Sequence, residues 1–252
     1  MLGGDETAGG MADAHKAELI WFRRPRGRRG PVPTLSRDQI TKAALELADA
    51  GGLEQVSMRK LASKLDAGAT SLYWHVQSKD DLHELMVDEV IGEISLPRPS
   101  GDWIADLRAI ALASFETYRE HRWIVLLGIQ PGLGPKTRRF GEVALRVFDP
   151  LELELSTRVN VLAALNNYTF GFIHREFAWE QLRERSGLSD EEWNARLQTY
   201  LEEASERDAA IAQQMGERFG LARRDSFEFG LECLLDGVAA SIAPRQRPKT
   251  SS

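Results

Sequence analysis

The stretch from Ser57 to Leu82, "SMRKLASKLDAGATSLYWHVQSKDDL", decides the fold of this chain. It divides into two short helical segments, which the small-residue break "DAGA" at 66–69 separates. Ser57 is a typical N-cap, and apolar residues follow it at helical spacing. Two short helices joined by a tight turn, after a longer helix, describe a helix-turn-helix, whose second helix enters the major groove of DNA.

Three aromatic side chains stand side by side at Tyr73, Trp74 and His75. If Leu72 faces the core, Val76 returns to the same face at 100° per residue, and the rings beside them point elsewhere. The alternative for Tyr73 and Trp74 is ordinary core packing, since aromatic side chains are usually buried. The filled inward positions and the flanking cations favour contact with thymine methyl groups, sugars and phosphates instead.

The start of the second helix is made of small residues, which would let its unpaired N–H groups approach the phosphates of a DNA groove. Arg59, Lys60 and Lys79 flank this helix and are candidate phosphate contacts, which position a protein without specifying sequence. The candidate DNA-binding set is Arg59, Lys60, Ala69, Thr70, Ser71, Tyr73, Trp74, His75 and Lys79.

Further helices are predicted on both sides of this motif. Ser36 is a candidate N-cap for a first helix that Gly51 and Gly52 end, and Ser78 with Asp81 forms a capping box that opens a fourth helix. A linker is expected at 95–101. The remaining predicted helices cover about 102–120, 122–130, 136–148, 155–184, 190–218 and 225–242. No alternating strand pattern of useful length occurs, so the expected fold class is all-α.

The charge of the chain is unevenly distributed. The formal net charge is −6 over 252 residues, yet residues 16–79 carry 12 Lys and Arg against 6 Asp and Glu. A basic segment attached to an acidic body indicates that one end meets a polyanion. One cysteine, no apolar run of about 20 residues and no signal-peptide pattern lead us to expect a cytoplasmic protein without a membrane segment.

The stretch 57–82 resembles the DNA-binding domain of the tetracycline-repressor (TetR) family, and "SLYWHV" followed by a Lys is specific to its tetracycline-repressor-like branch. Weaker similarity continues in "DWIADLR", "HRWIVLLG", "NNYTFGF" and "FEFGLECLLDG". The resemblance implies a homodimer that binds a palindromic operator and leaves it when a small molecule enters the C-terminal domain. The alternatives to a ligand-released repressor are a transcriptional activator and an enzyme with a DNA-binding appendage.

The resemblance divides the chain into a disordered basic arm at 1–33, a helix-turn-helix domain at 34–95, a ligand-binding and dimerisation domain at 96–244 and a disordered tail at 245–252. The arm contains "RRPRGRR", which either contacts DNA or is a solvated tail. Dimerisation is expected through the helices at about 155–184 and 225–242, because paired helices about a two-fold axis make a four-helix interface.

Polar residues in the otherwise apolar helix at 155–184 are candidates for an effector pocket, since such pockets combine apolar walls with a few polar anchors. Hydrogen-bonded interface residues are the alternative interpretation. The candidate effector-binding set is Phe115, Tyr118, Leu126, Asn166, Asn167, Phe170 and His174. No cofactor is expected. The positions that match the family's magnesium–tetracycline site offer no convincing hard-oxygen ligand.

Enzymatic patterns are missing from the sequence. His83-Glu84 is not followed by a second His at the zinc-protease spacing, and no Gly-x-Ser-x-Gly occurs. Cys233 lies on an apolar helical stripe, which predicts a core position. A metal site that uses His121 and His174 has no support from spacing. We therefore expect neither an enzyme nor a metal centre.

Overall fold

The computed structural model describes residues 20–23, 35–128, 132–204 and 224–242. These ranges are mainly helical and contain no strand, which confirms the predicted fold class. The α-helices are α1 Arg37–Gly51, α2 Met58–Lys64, α3 Ala69–His75, α4 Lys79–Glu93, α5 Trp103–Glu120, α6 Pro135–Leu145, α7 Leu155–Ser186, α8 Asp190–Ala204 and α9 Arg224–Ile242. Short 3₁₀ helices lie at Leu53–Gln55, Arg122–Leu127 and Arg146–Phe148.

Both ends of α1 follow the predicted signals. The Ser36 hydroxyl accepts a hydrogen bond from the Gln39 amide at 3.1 Å, and the Gln39 side chain accepts one from the Ser36 amide at 2.8 Å. This capping box satisfies two amides that the helix leaves unpaired. The helix ends at Gly52, whose φ of 87° lies in the region that favours glycine.

The α2–turn–α3 unit forms the helix-turn-helix. Ser57 caps α2 by accepting a hydrogen bond from the Lys60 amide at 3.3 Å. In the turn, the Ala67 amide donates to the carbonyl oxygen of Ala62 at 3.0 Å. Three apolar side chains of this unit have no exposed surface, namely Leu61, Leu72 and Val76. Their burial fixes the angle between the two helices.

Helix α4 is the last helix of the DNA-binding domain and contacts the rest of the chain. The Ser78 hydroxyl accepts from the Asp81 amide at 3.0 Å, and the Asp81 carboxylate accepts from the amides of Ser78 and Gln77. This arrangement confirms the predicted capping box and joins α4 to the end of α3. Further along, α4 packs against α1 on one side and against α5 and α6 on the other.

Ile20–Arg23 pack on the DNA-binding domain, which corrects the expectation of a disordered arm for these four residues. Ile20 is almost completely buried. The Arg23 guanidinium forms two 2.6 Å hydrogen bonds to the Asp81 carboxylate, and the Trp21 indole donates to Glu84 at 3.0 Å. These partners lie 58 to 63 residues away along the chain. The rest of the predicted arm lies outside the described residues.

The larger helical domain is built on an aromatic core between α5, α7 and α9. The rings of Phe115 and Phe227 stack with centroids 4.2 Å apart, and Phe172 meets both edge-on. The Tyr168 hydroxyl donates to the carbonyl oxygen of Phe227 at 2.7 Å, which fixes α9 against α7. Buried aromatic rings in these arrangements stabilise a core beyond the area that they bury.

Several predicted helices differ in extent from the structure. The helix predicted at 122–130 is the 3₁₀ helix Arg122–Leu127 where it is described, and its residues 129–130 lie outside the described residues. The helix predicted at 136–148 divides into α6 and a 3₁₀ turn. The helix predicted at 190–218 corresponds to α8 up to Ala204, and the rest of it lies outside the described residues, as does the predicted tail at 245–252. Among the described helices, none has the length and apolar content needed to cross a membrane.

Candidate DNA-binding and effector sites

The exposed face of α3 carries the aromatic pair. Tyr73 is 50% exposed and Trp74 is 59% exposed, whereas Leu72 before them and Val76 after them are fully buried. The helical-wheel argument for the orientation of these side chains is therefore confirmed. Two adjacent exposed aromatic rings are candidates for a contact surface.

The C-terminal end of α3 is held rigidly by its neighbours. The Arg37 side chain donates from Nε to the carbonyl oxygen of His75 at 3.2 Å. Asp81 accepts from the Gln77 amide at 2.9 Å just beyond the helix. Burial, with the nearby charge of Arg37, lowers the pKa of His75 from its ordinary value. His75 is therefore neutral at physiological pH and can both donate and accept a hydrogen bond.

The remaining DNA-binding candidates surround the aromatic pair, and most are exposed. Ala69, Thr70 and Ser71 form the first turn of α3, and Gly68 before them contributes no side-chain cap. Arg59 and Lys79 are exposed on either side. Lys60 differs from them because its ammonium group is hydrogen-bonded to the Gln55 side chain. We call the exposed candidates, together with Tyr73 and Trp74, the reading surface.

Part of the predicted effector set lies together in the larger domain. The Tyr118 hydroxyl donates to the Asn166 side-chain oxygen at 3.2 Å, and the rings of Tyr118 and Phe170 meet edge-on with centroids 6.1 Å apart. Burial raises the pKa of Tyr118 to about 12. This phenol is therefore a permanent hydrogen-bond donor in an apolar environment. We call these three residues the Tyr118 cluster.

Other predicted effector residues are placed elsewhere. Asn167 and His174 are exposed on α7, about a quarter of a turn round the helix from Asn166, because consecutive residues of a helix point about 100° apart. Phe115 is fully buried in the stack with Phe227, and Leu126 is exposed on the 3₁₀ helix Arg122–Leu127. The structure therefore brings together only part of the predicted set.

Cys233 is exposed on α9, which corrects the prediction of a core position. The buried side of α9 is formed by Phe227, Leu231 and Leu235, and Cys233 projects from the other side. The helix is apolar on two faces, and within the described part of the chain only the face with Phe227, Leu231 and Leu235 is buried. Apolar periodicity alone could not distinguish the two faces.

Two polar contacts of α4 join residues that are distant in sequence, and no local pattern predicts them. The Asp88 carboxylate accepts hydrogen bonds from the Thr137 amide at 2.8 Å and the Thr137 hydroxyl at 2.9 Å, and so caps α6. His121 bridges Asp49 of α1 and Glu93 of α4. Among the described residues, no group of His, Cys, Asp and Glu side chains is arranged to hold a metal ion.

The comparisons with known proteins agree with this architecture. The profile "Bacterial regulatory proteins, tetR family" matches residues 40–86, and "Tetracyclin repressor-like, C-terminal domain" matches residues 96–242. The chain belongs to the TetR family of transcriptional regulators. Its N-terminal helix-turn-helix domain is the DNA-binding domain of that family, and α5–α9 lie in the tetracycline-repressor-like C-terminal domain.

Similar proteins come from several bacteria. The HTH-type transcriptional repressor DrrR1 of Streptomyces coeruleorubidus is 35% identical over 97% of this chain and 92% of its own length. The Tetracycline repressor protein class E of Escherichia coli is 28% identical over 82% of this chain and 92% of its own length. ActR of Streptomyces coelicolor in complex with actinorhodin has a TM-score of 0.69 and 25% identity, and the match covers 85% of this chain and all of ActR.

Proposed function

We propose that this TetR-family regulator is a repressor, which binds a palindromic operator as a homodimer and is released by a small-molecule effector. The observation that carries the proposal is the exposed Tyr73–Trp74 pair on α3. The core-facing positions of this unit are already occupied by the buried Leu72 and Val76. A core function for these rings is inconsistent with their exposure. The similarity to the repressor DrrR1 over nearly the whole chain supports repression rather than activation.

The exposed faces of α7 and α9 in the larger helical domain suit contact with a second copy of the chain. The outward face of α7 combines Val159 with small residues such as Ala163 and Gly171, and α9 exposes Phe229 over 74% of its surface. Small residues allow close approach of two helices, and an exposed apolar face favours burial against a partner. A symmetric pair would also place two reading surfaces about one DNA turn apart, roughly 34–36 Å.

The reading surface suggests which bases the protein recognises. Helix α3, "ATSLYWH", contains no Arg, Lys, Asn, Gln, Asp or Glu, the residues that form bidentate contacts with guanine or adenine or accept from cytosine. Its outward side chains offer methyl groups, hydroxyls and aromatic rings instead. Such groups recognise the methyl group of thymine. We propose that α3 selects thymine-containing steps and that Arg59, on α2, and Lys79 contact phosphates.

The effector is proposed to be an aromatic molecule with a hydrogen-bonding group. The Tyr118 cluster offers two ring faces or edges for stacking and a phenol–amide pair for a polar substituent. ActR, which shares this fold, was crystallised with actinorhodin, so actinorhodin is a reasonable first compound to test. An effector can release the operator only to the extent that it binds the released conformation more tightly.

The proposal is tested by selecting duplexes from a random DNA pool with the purified full-length chain and measuring their affinity by fluorescence anisotropy. We expect an enriched sequence with two-fold symmetry and a stoichiometry of two chains for each site. Enrichment of no sequence at moderate salt would overturn the proposal. Actinorhodin added to the preformed complex tests release, and the position of the enriched sequence relative to promoters separates repression from activation.

A further inference from the structure

His121 lies where the DNA-binding domain meets the effector domain. It follows α5, and its side chain is largely buried. Its ring nitrogen Nδ1 is 2.8 Å from an oxygen of Asp49 in the last turn of α1, and Nε2 is 2.9 Å from an oxygen of Glu93 at the end of α4. The Trp123 indole donates to the same Asp49 oxygen at 2.7 Å. One imidazole thus joins the ends of two helices to the body.

The chemistry of these contacts fixes the protonation state of the ring. An ionised carboxylate only accepts hydrogen bonds, and a neutral imidazole has a single N–H. Both nitrogens of His121 can donate at these distances only when the ring is an imidazolium. After loss of the proton, one nitrogen lone pair would face a carboxylate oxygen, and that contact would become repulsive.

The charged groups around His121 also favour its protonated form. Burial lowers its pKa, but the hydrogen bonds that the ring donates to Asp49 and Glu93, with the charges of both carboxylates, together raise it above the ordinary value of 6.5. Arg122 beside the ring is paired with Glu180 of α7. Asp49 comes from α1 and Glu93 from α4, and no cation from these elements is bonded to either carboxylate within the described part of the chain.

We propose that His121 is a positioning residue, whose protonated form fixes α1 and α4 to the effector domain and thereby strengthens operator binding. We call His121, Asp49 and Glu93 the His121 latch. The inference rests on the proposed function as an operator-binding dimer. Two reading surfaces must meet two half-sites at one spacing. Domains that the latch already holds in place lose less conformational freedom on binding, and the operator is therefore bound more tightly.

The direction of the pH effect follows from linkage. Because the pKa is raised in the latched arrangement, protonation stabilises the latch below the ordinary pKa, and this stabilisation is lost as pH rises through the folded-state pKa. Operator affinity should therefore fall as pH increases through that range. His75, whose pKa is lowered instead, titrates at more acidic pH and cannot produce the same profile.

The test uses Glu93→Gln, which removes one charge of the latch at a partly exposed side chain. The matched control is Glu89→Gln on the same helix, since Glu89 pairs with Lys136 and not with His121. Titration of the histidine ring resonances by NMR in the full-length protein gives the pKa of His121 without any DNA. Anisotropy on the selected duplex at constant ionic strength, from about pH 6 to about pH 8.5, gives operator affinity across the range where histidine titrates.

We expect a His121 pKa above 6.5 in the natural chain and in Glu89→Gln, and a lower pKa in Glu93→Gln. Operator affinity should weaken about fivefold or more over the range in the first two proteins, as for other site-to-site couplings, and change little in Glu93→Gln. Equal pH profiles in all three proteins, or a His121 pKa that Glu93→Gln leaves unchanged, would overturn the inference. If no duplex binds, the proposed function fails. The NMR titration alone then shows whether Glu93 raises the pKa of His121.

Discussion

Leu72 and Tyr73 are neighbours on α3, and the structure assigns them opposite tasks. Replacing each with alanine should therefore separate stability from DNA binding. Leu72 is fully buried in the helix-turn-helix core, so Leu72→Ala leaves a cavity among Leu61, Val76 and the surrounding helices. Buried Leu→Ala substitutions destabilise proteins by about 2–5 kcal/mol, and we expect about 3 kcal/mol here.

Tyr73→Ala and Trp74→Ala should have the reverse effect. At least half of the surface of each ring is already exposed to solvent, so we expect each substitution to reduce the free energy of unfolding by less than about 1 kcal/mol. A lost base contact weakens binding by about 1–3 kcal/mol. Since a homodimer would lose the contact at both half-sites, operator affinity should fall by at least about 30-fold.

Two assays on the same preparations separate these outcomes. Urea unfolding followed by circular dichroism gives the free energy of unfolding, and anisotropy on the selected duplex at fixed salt gives the affinity. The reasoning is refuted if Tyr73→Ala or Trp74→Ala destabilises the domain as much as Leu72→Ala does. It is also refuted if both ring variants fold normally and bind the duplex as tightly as the natural chain.

Three further predictions address the dimer, the Tyr118 cluster and base recognition. Phe229→Asp should convert the proposed dimer to monomer in analytical ultracentrifugation, whereas Tyr200→Asp, a similarly exposed aromatic position on α8, should not. Burial raises the Tyr118 pKa from 10.0 to about 12, so the protein should lose stability as pH rises from 10 towards 12. Thermal unfolding scans of Tyr118→Phe should show a smaller loss over this range. Replacing thymine by deoxyuracil at the positions that α3 contacts should weaken binding about threefold to tenfold per methyl group without changing its salt dependence, and unchanged affinity would exclude methyl recognition.

Sequence reasoning was accurate where the signal was local. The caps at Ser36, Ser57 and Ser78 depend on residues within one helical turn, and all three form as predicted. The orientation of Tyr73 and Trp74 followed from helical geometry once Leu72 was assigned to the core. These are cases in which spacing along the chain determines spacing in the structure.

The signals failed where a residue's partner is distant or where one helix has two apolar faces. Ile20–Arg23 stand at the start of an Arg-, Gly- and Pro-rich region, yet they pack on α4 through Trp21 and Arg23. Asn166 and Asn167 are adjacent in sequence but point to different faces of α7, so only Asn166 reaches Tyr118. The sequence of α9 could not show which of its apolar faces packs within the chain and which, with Cys233, remains exposed.

The contacts of α4 with the larger helical domain provide a route by which binding of the proposed effector could alter the position of the reading surface. Asp88 holds Thr137 across 49 residues, and Glu93 holds His121 across 28 residues, so both ends of the segment from His121 to Thr137 are attached to one helix. Leu126, on the 3₁₀ helix, lies within that segment. An effector that displaces the segment must therefore move α4 or break charge-assisted hydrogen bonds, each worth about 1.5–3 kcal/mol. If the proposed effector acts by breaking these contacts, its difference in affinity between the operator-binding and released conformations must offset their free energy.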